Sequence, residues 1–183
     1  MNSKKRFLAD SRGQIWVETV IYTLIAFSLM GLVLAFAIPK IQEFQDKSVI
    51  EQSIGVLREI DSLIKEIQGS PGNQRVLELG MNKGSLTIDA VNDRIFFELE
   101  SKYQYSQPGE NVSVGEVVVN TKEQNNINLL TMTLNYAGEN NLTYDGQETS
   151  KIITKAPIPY KISISDTGKD ASGNPMIKIE VME

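Results

Sequence analysis

The chain has 183 residues, of which 41% are hydrophobic and 22% are charged, and its formal net charge is −5. This length corresponds to one ordinary domain with an extension. The sequence contains no cysteine and no histidine, which excludes disulfides, thiolate or imidazole metal sites and Ser-His-Asp chemistry. The negative charge argues against nucleic acid as a partner, because nucleic-acid-binding proteins present a basic face. An enzyme that uses only Asp, Glu, Lys, Ser or Tyr is still chemically possible, but most reaction classes are disfavoured. We therefore expect that the chain is not an enzyme and has no cofactor and no catalytic or metal-binding residues.

The charge is unevenly distributed along the chain. The first 13 residues contain four basic side chains and one acidic one, a local charge of +3, so the other 170 residues carry −8. A short basic start before an acidic remainder is typical of a membrane-orientation signal or a processed leader.

A run of 20 residues without formal charge, 19–38, follows this basic start. A helix of that length spans about 30 Å, the thickness of the hydrocarbon core of a bilayer. A cleavable secretory signal would be shorter, although Ala35-Phe36-Ala37 resembles its cleavage site. The length favours a retained transmembrane anchor with the N-terminus in the cytoplasm and the remainder outside, because the basic residues precede it.

Glu18 stands at the entrance of the apolar run. A carboxylate in lipid costs a few kcal/mol and is usually paired or functional. The other interpretation is that Glu18 lies at the membrane interface beside Trp16, where aromatic residues are common. Position alone leaves the two interpretations open.

The residues around this point carry a family resemblance. Lys4-Lys5-Arg6, then Ser11-Arg12-Gly13 and Gln14-Ile15-Trp16-Val17-Glu18, stand directly before the apolar run. This arrangement resembles the class III (prepilin-type) signal peptide of archaeal type IV pilins and archaellins. The resemblance covers residues 4–40 in detail. It implies that a prepilin peptidase cuts between Gly13 and Gln14, so that the apolar helix is retained.

The same resemblance implies roles in assembly for residues of the helix. The apolar segment would anchor the subunit in the lipid membrane and then form the core of a helical filament. Glu18 would be neutralised there by the amine of an adjacent subunit. Ser28, Gly31 and Ala35 recur at helical spacing and could let neighbouring backbones approach closely, although small residues are common in membrane helices.

Beyond Pro39 the sequence predicts that the helix continues with an amphipathic pattern. Its apolar positions are Ile41, Phe44, Ile50, Ile54, Leu57, Ile60, Ile64 and Ile67. Gly69, Pro71 and Gly72 then supply the stop. We therefore divide the chain into a leader (1–13), a long helix (14–68, with 19–38 transmembrane or in the filament core) and a head (75–183).

The head is predicted to be rich in β-strands. Alternating segments such as 85–89, 94–98 and 127–136 are separated by turn-forming residues, and no helical period lies between them. Hairpins are expected at 86–98 and 160–181. The fold class is α+β, a long N-terminal helix, transmembrane and then amphipathic, with a C-terminal antiparallel β-sandwich-like head.

Two N-glycosylation sequons lie in the head, at Asn111 and Asn141, both near predicted turns. Sequons also arise by chance in a chain rich in asparagine. Glycosylation would be consistent with a head outside the cytoplasm.

The resemblance thus implies a structural subunit of a type IV pilus-like cell-surface filament. Its partners would be copies of itself or related pilins, the prepilin peptidase, and the lipid membrane before assembly. The precursor would be a single-pass membrane protein, and the mature protein would lie at the cell surface. The alternatives are a non-polymerising minor pilin or pseudopilin, and a membrane-anchored extracytoplasmic binding domain.

Overall fold

A computed structural model describes residues 11–125 and 127–182, with side chains from Trp16 onward. The described chain forms one helix, α1 (Ser11–Ile67), followed by a β-domain. The strands are β1 (Gln74–Leu79), β2 (Ser85–Asp89), β3 (Arg94–Ser101), β4 (Asn111–Val114), β5 (Val117–Gln124), β6 (Ile127–Asn135), β7 (Asn141–Tyr144), β8 (Ser150–Thr154), β9 (Tyr160–Lys169) and β10 (Pro175–Met182). This architecture confirms the α+β class with a long apolar helix and an antiparallel-rich β-domain.

Helix α1 runs through Pro39 and ends where glycine interrupts it. Gly69 has a φ of +79°, a conformation that glycine adopts without steric cost and that commonly closes a helix. The backbone N–H of Gln68 still donates to the carbonyl of Ile64, at 2.9 Å. Lys65 lies in the last turn, where a positive charge interacts favourably with the helix dipole.

The chain divides into two compact units between Gln42 and Glu43.

The β-domain contains two sheets. The strand order is β1-β9-β10-β7 in the four-stranded sheet and β4-β5-β6-β3-β2-β8 in the six-stranded sheet. The two predicted hairpins are confirmed, because β2 pairs antiparallel with β3 and β9 pairs antiparallel with β10. Only the β10–β7 pair among these strands is parallel. Burial alternates along strands such as β3 and β5, which gives each of them one buried and one outer face, whereas four consecutive residues of β2 are buried.

The C-terminal part of α1 packs into the same core as the sheets. Six apolar positions of the predicted amphipathic stripe are buried: Ile50, Ile54, Leu57, Ile60, Ile64 and Ile67. They form one hydrophobic cluster with inward residues of both sheets, including Phe97, Leu130, Ile164 and Ile177. The first two positions of the stripe do not join it, since Ile41 is 53% and Phe44 71% exposed. The part of the stripe that packs into the head is therefore its C-terminal part, from Ile50 onward.

Gly84, just before β2, lies against strand β3. Its φ is +81°, and a Cβ built on it would stand 2.5 Å from the carbonyl oxygen of Glu98 and 2.7 Å from the ring of Phe97. No side chain fits that space without displacing a neighbour. Glycine at this position lets the loop after β1 approach the sheet closely.

Candidate functional site: the exposed apolar part of the helix

The N-terminal part of α1 carries apolar side chains that lie on the surface of the described structure. Thirteen large aliphatic, methionine or phenylalanine side chains between Val17 and Ile38 are exposed, each by 38% or more. They are Val17, Val20, Ile21, Leu24, Ile25, Phe27, Leu29, Met30, Leu32, Val33, Leu34, Phe36 and Ile38. Such a continuous apolar surface marks a membrane or protein interaction site.

This helix is long and apolar enough to cross a membrane, and it is the one such helix within the described residues. Its most apolar window has a mean hydropathy of 2.4, and none of that window is buried. A core helix of a soluble protein would have the same composition but would be buried. The segment is therefore compatible with a membrane anchor near the N-terminus.

Glu18 and Trp16 lie at the beginning of the exposed apolar surface. Tyr22 lies one helical turn after Glu18, and its hydroxyl donates a hydrogen bond to Glu18 Oε1 at 3.3 Å. Glu18 is exposed, and Trp16 is 70% exposed. The structure thus places the carboxylate on the helix surface, where a group outside the described chain can reach it.

The three small residues Ser28, Gly31 and Ala35 are also exposed. The hydroxyl of Ser28 donates to the carbonyl of Leu24 at 2.8 Å, so its hydrogen-bonding need is met within the helix. A Cβ built on Gly31 would meet nothing within 4 Å. Spacings of three and four residues put all three on one face. The structure thus leaves these three small residues uncovered within the described chain.

The predicted cleavage site lies at the edge of the described chain. Gly13 and Gln14 belong to the backbone of α1, but the side chains of residues 11–15 lie outside the described residues. The basic residues at positions 4–6 lie outside them as well. The structure therefore gives no side-chain geometry for the leader.

The two sequons lie in different surroundings. Asn111 is an exposed residue at the start of β4, and its Oδ1 accepts a hydrogen bond of 2.8 Å from Asn120 Nδ2. Asn141 is partly buried in β7, and its Oδ1 is buried without a hydrogen-bond partner. Thr143, which completes the second sequon, is 4% exposed. Only the first sequon is therefore fully on the surface.

A polar contact that the sequence analysis missed connects α1 to the head. Asp46 is 8% exposed, and its carboxylate forms an ion pair with Lys83 Nζ and accepts a 2.7 Å hydrogen bond from the backbone N–H of Lys102. Asp46 stands four residues before Ile50, so the helical period places it on the buried side. That spacing was a usable signal for a buried carboxylate, but it does not reveal the partners.

A second missed feature is the buried carboxylate of Asp89, which is 6% exposed. Burial acts to raise its pKa, but hydrogen bonds from Asn92, Arg94 and Ser150, together with the Arg94 charge, outweigh burial. The pKa of Asp89 therefore lies below its ordinary value. Arg94 Nε donates at 2.8 Å and Ser150 Oγ at 3.0 Å. The network connects β2, β3 and β8 and has a structural role.

Tyr136 is the third buried polar side chain of this kind. It is 4% exposed, and its hydroxyl donates to Asp61 Oδ1 on α1 at 3.2 Å. Burial and the neighbouring negative charges, first among them Asp61, raise the pKa of Tyr136 far above its ordinary value. The phenol therefore stays neutral and holds the head to the helix.

Within residues 11–125 and 127–182, no group of three or more acidic side chains is placed to hold a metal ion. Comparison of the whole chain with protein-family models, curated proteins and solved structures gives no significant match. The exposed apolar helix and the sequence that precedes it are therefore the two features that indicate a function.

Proposed function

We propose that this chain is the precursor of a structural subunit of a type IV pilus-like surface filament. The observation that carries the proposal is the exposed apolar surface between Val17 and Ile38. Burying a large apolar side chain contributes about 1.5 kcal/mol or more, so the segment stands to gain on the order of 20 kcal/mol from an apolar environment. Lipid supplies that environment before assembly, and neighbouring helices supply it in a filament.

The leader-like sequence supports a filament over a permanent anchor. Gly13 and Gln14 would be the two sides of the cleaved bond, and Glu18 would be the fifth residue of the mature chain. The basic residues before Gly13 favour a cytoplasmic N-terminus and a head outside. Because lipid and a neighbouring helix are similarly apolar, the helix exchanges one for the other at little cost, and close packing favours association. Ser28, Gly31 and Ala35 supply a surface for that packing.

The first test is the mass of the chain extracted from its native membrane, with mapping of the N-terminal peptide. A mature start at Gln14 is expected. A start at Met1 would contradict prepilin-type processing and favour a plain membrane-anchored domain. A start just beyond Ala37 would mean a secreted head and would overturn the filament.

The second test separates a filament subunit from a non-polymerising minor pilin or pseudopilin. Glu18→Ala should abolish sheared filament yield while leaving membrane insertion unchanged, because the carboxylate is needed only by the neighbouring subunit. Tyr22→Phe is the matched control, since it removes the 3.3 Å hydrogen bond to Glu18 but keeps the charge. Filament yield of Glu18→Ala at the wild-type level would refute the polymer-forming role.

A further inference from the structure

The two N-glycosylation sequons of the head differ in their accessibility. An acceptor asparagine needs an exposed side-chain nitrogen and space for a bulky, hydrated glycan. A sequon is therefore expected to be modified where the fold leaves it on the surface. The two sites can be compared directly, because both asparagines begin a short strand, β4 or β7.

We propose that Asn111 is the N-glycosylated residue of the head and that Asn141 is not modified. This inference rests on one part of the proposed function, namely that the head lies outside the cytoplasm. Asn111, Val112 and Ser113 are all exposed, so the whole first sequon lies on the surface.

The hydrogen bond at Asn111 leaves the reactive atom available. Asn120 Nδ2 donates to Asn111 Oδ1 at 2.8 Å, across the β4–β5 pair. This bond fixes the side-chain oxygen against the neighbouring strand, and the amide nitrogen Nδ2 is then the group left for modification. β4 is the free edge of the six-stranded sheet, so the glycan has no neighbouring strand on its other side.

The second sequon is built into the fold. Asn141 pairs with Met176 of β10, and its Oδ1 is buried. The hydroxyl of Thr143 is directed at the carbonyl of Ile177, at 3.5 Å. A glycan on Asn141 would have to displace these contacts, which the exposed Asn111 does not require.

The modification transfers an oligosaccharide from a lipid-phosphate carrier. The amide nitrogen of Asn111 bonds to the anomeric carbon of the sugar, and the bond between that carbon and the phosphate oxygen breaks. The lipid phosphate leaves with the electron pair, and the amide gives up one proton to the membrane transferase. Asn111 supplies only the acceptor nitrogen.

The test is peptide mapping by mass spectrometry of the full chain purified from its native membrane. The wild-type peptide with Asn111 should carry the glycan mass on essentially all molecules, and the peptide with Asn141 should be bare. Asn111→Gln and Ser113→Ala should each remove the glycan completely. Ser113→Thr, which keeps the sequon, should retain it, and Asn141→Gln should leave the glycan unchanged.

A glycan on Asn141, or a bare Asn111, in the wild-type chain would overturn the inference without depending on any variant. The N-terminal peptide from the same sample separates this outcome from the proposed function. A chain starting at Gln14 with a bare Asn111 would refute only the glycan site. A chain starting at Met1 with a glycosylated Asn111 would refute only the pilin-type processing.

Discussion

Replacing Gly84 by alanine tests how closely the loop before β2 approaches the sheet. The matched control is Gly109→Ala, because Gly84 and Gly109 have nearly the same φ, +81° and +84°. The two sites differ in the space around them. A Cβ at Gly84 would stand 2.5 Å from the Glu98 carbonyl oxygen, whereas a Cβ at Gly109 would meet nothing within 4 Å.

The expected magnitudes follow from that difference. A left-handed backbone costs a non-glycine residue about 1–2 kcal/mol, and the loss of chain freedom in the unfolded state offsets about 0.4–1 kcal/mol. Gly109→Ala should therefore lower the free energy of unfolding by roughly 0–1.6 kcal/mol. Gly84→Ala must also displace Phe97 or the backbone at Glu98, and such overpacking costs about 1–3 kcal/mol more. The total for Gly84→Ala should be roughly 1–4.6 kcal/mol, and it should exceed that for Gly109→Ala by about 1–3 kcal/mol.

The assay is urea or thermal unfolding of the full chain in detergent, followed by near-ultraviolet circular dichroism of the tyrosines. For a domain of this size, each kcal/mol corresponds to about 2–4 °C in the melting temperature. Gly84→Ala should melt well below Gly109→Ala. If the free energies of unfolding of the two variants differ by less than about 0.5 kcal/mol, a Cβ at position 84 is tolerated and the close approach at Gly84 does not require glycine.

Three further predictions concern the buried polar contacts. Asp46→Ala should lower the free energy of unfolding by about 2 kcal/mol, because it removes a charge-assisted hydrogen bond to the Lys102 N–H. Lys83→Met should cost less than about 1 kcal/mol, because Lys83 is partly exposed. The pKa of Asp89 is lowered in the folded head, so its charged form stabilises the fold at pH values above the ordinary pKa of an aspartate. This contribution should be lost as the pH falls below about 4. Urea unfolding of the wild type and of Asp89→Asn at a series of pH values from about 2 to about 7 measures it. One of the six tyrosines, Tyr136, should resist ionisation until the head unfolds in alkali, and absorbance titration of wild type and Tyr136→Phe measures this.

Each of these predictions has an outcome that would contradict it. Equal stability of Asp46→Ala and Lys83→Met would mean that the Lys102 N–H contact contributes nothing. If the free energy of unfolding of the wild type were the same at about pH 2 as at about pH 7, the contacts of Asp89 would not favour its charged form. Titration of every tyrosine below the pH of unfolding would show that Tyr136 is not shielded by burial.

Much of the fold was predictable from local sequence patterns. The spacing of Ile50, Leu57 and Ile64 predicted the buried face of α1, and the glycines after Ile67 predicted its end. The alternation in β2 and β3, with the turn between them, predicted a hairpin because its register is local. Strands β1, β7 and β8 were not singled out, since each pairs with a partner distant in sequence and no local turn marks the pairing.

The candidate site was predictable in part for the same reason. The apolar run is a property of consecutive residues, so its composition alone identified the exposed surface. The partners of Asp46, Asp89 and Tyr136 come from elements far apart in the chain, and no spacing rule reveals them. Ile41 and Phe44 stand nine and six residues before Ile50, so at about 100° per residue they project from other sides of the helix than the buried stripe, and both are exposed.

Trp16 is the only tryptophan of the chain and stands at the start of the exposed apolar surface. Tryptophan fluorescence therefore reports on that end of α1 and carries no signal from the head. An emission maximum at short wavelength, quenched by brominated lipid, would mark a subunit in the bilayer. Loss of that quenching with the short-wavelength maximum retained would mark transfer to a protein environment. The sequence thus contains its own optical probe for the proposed transfer from membrane to filament.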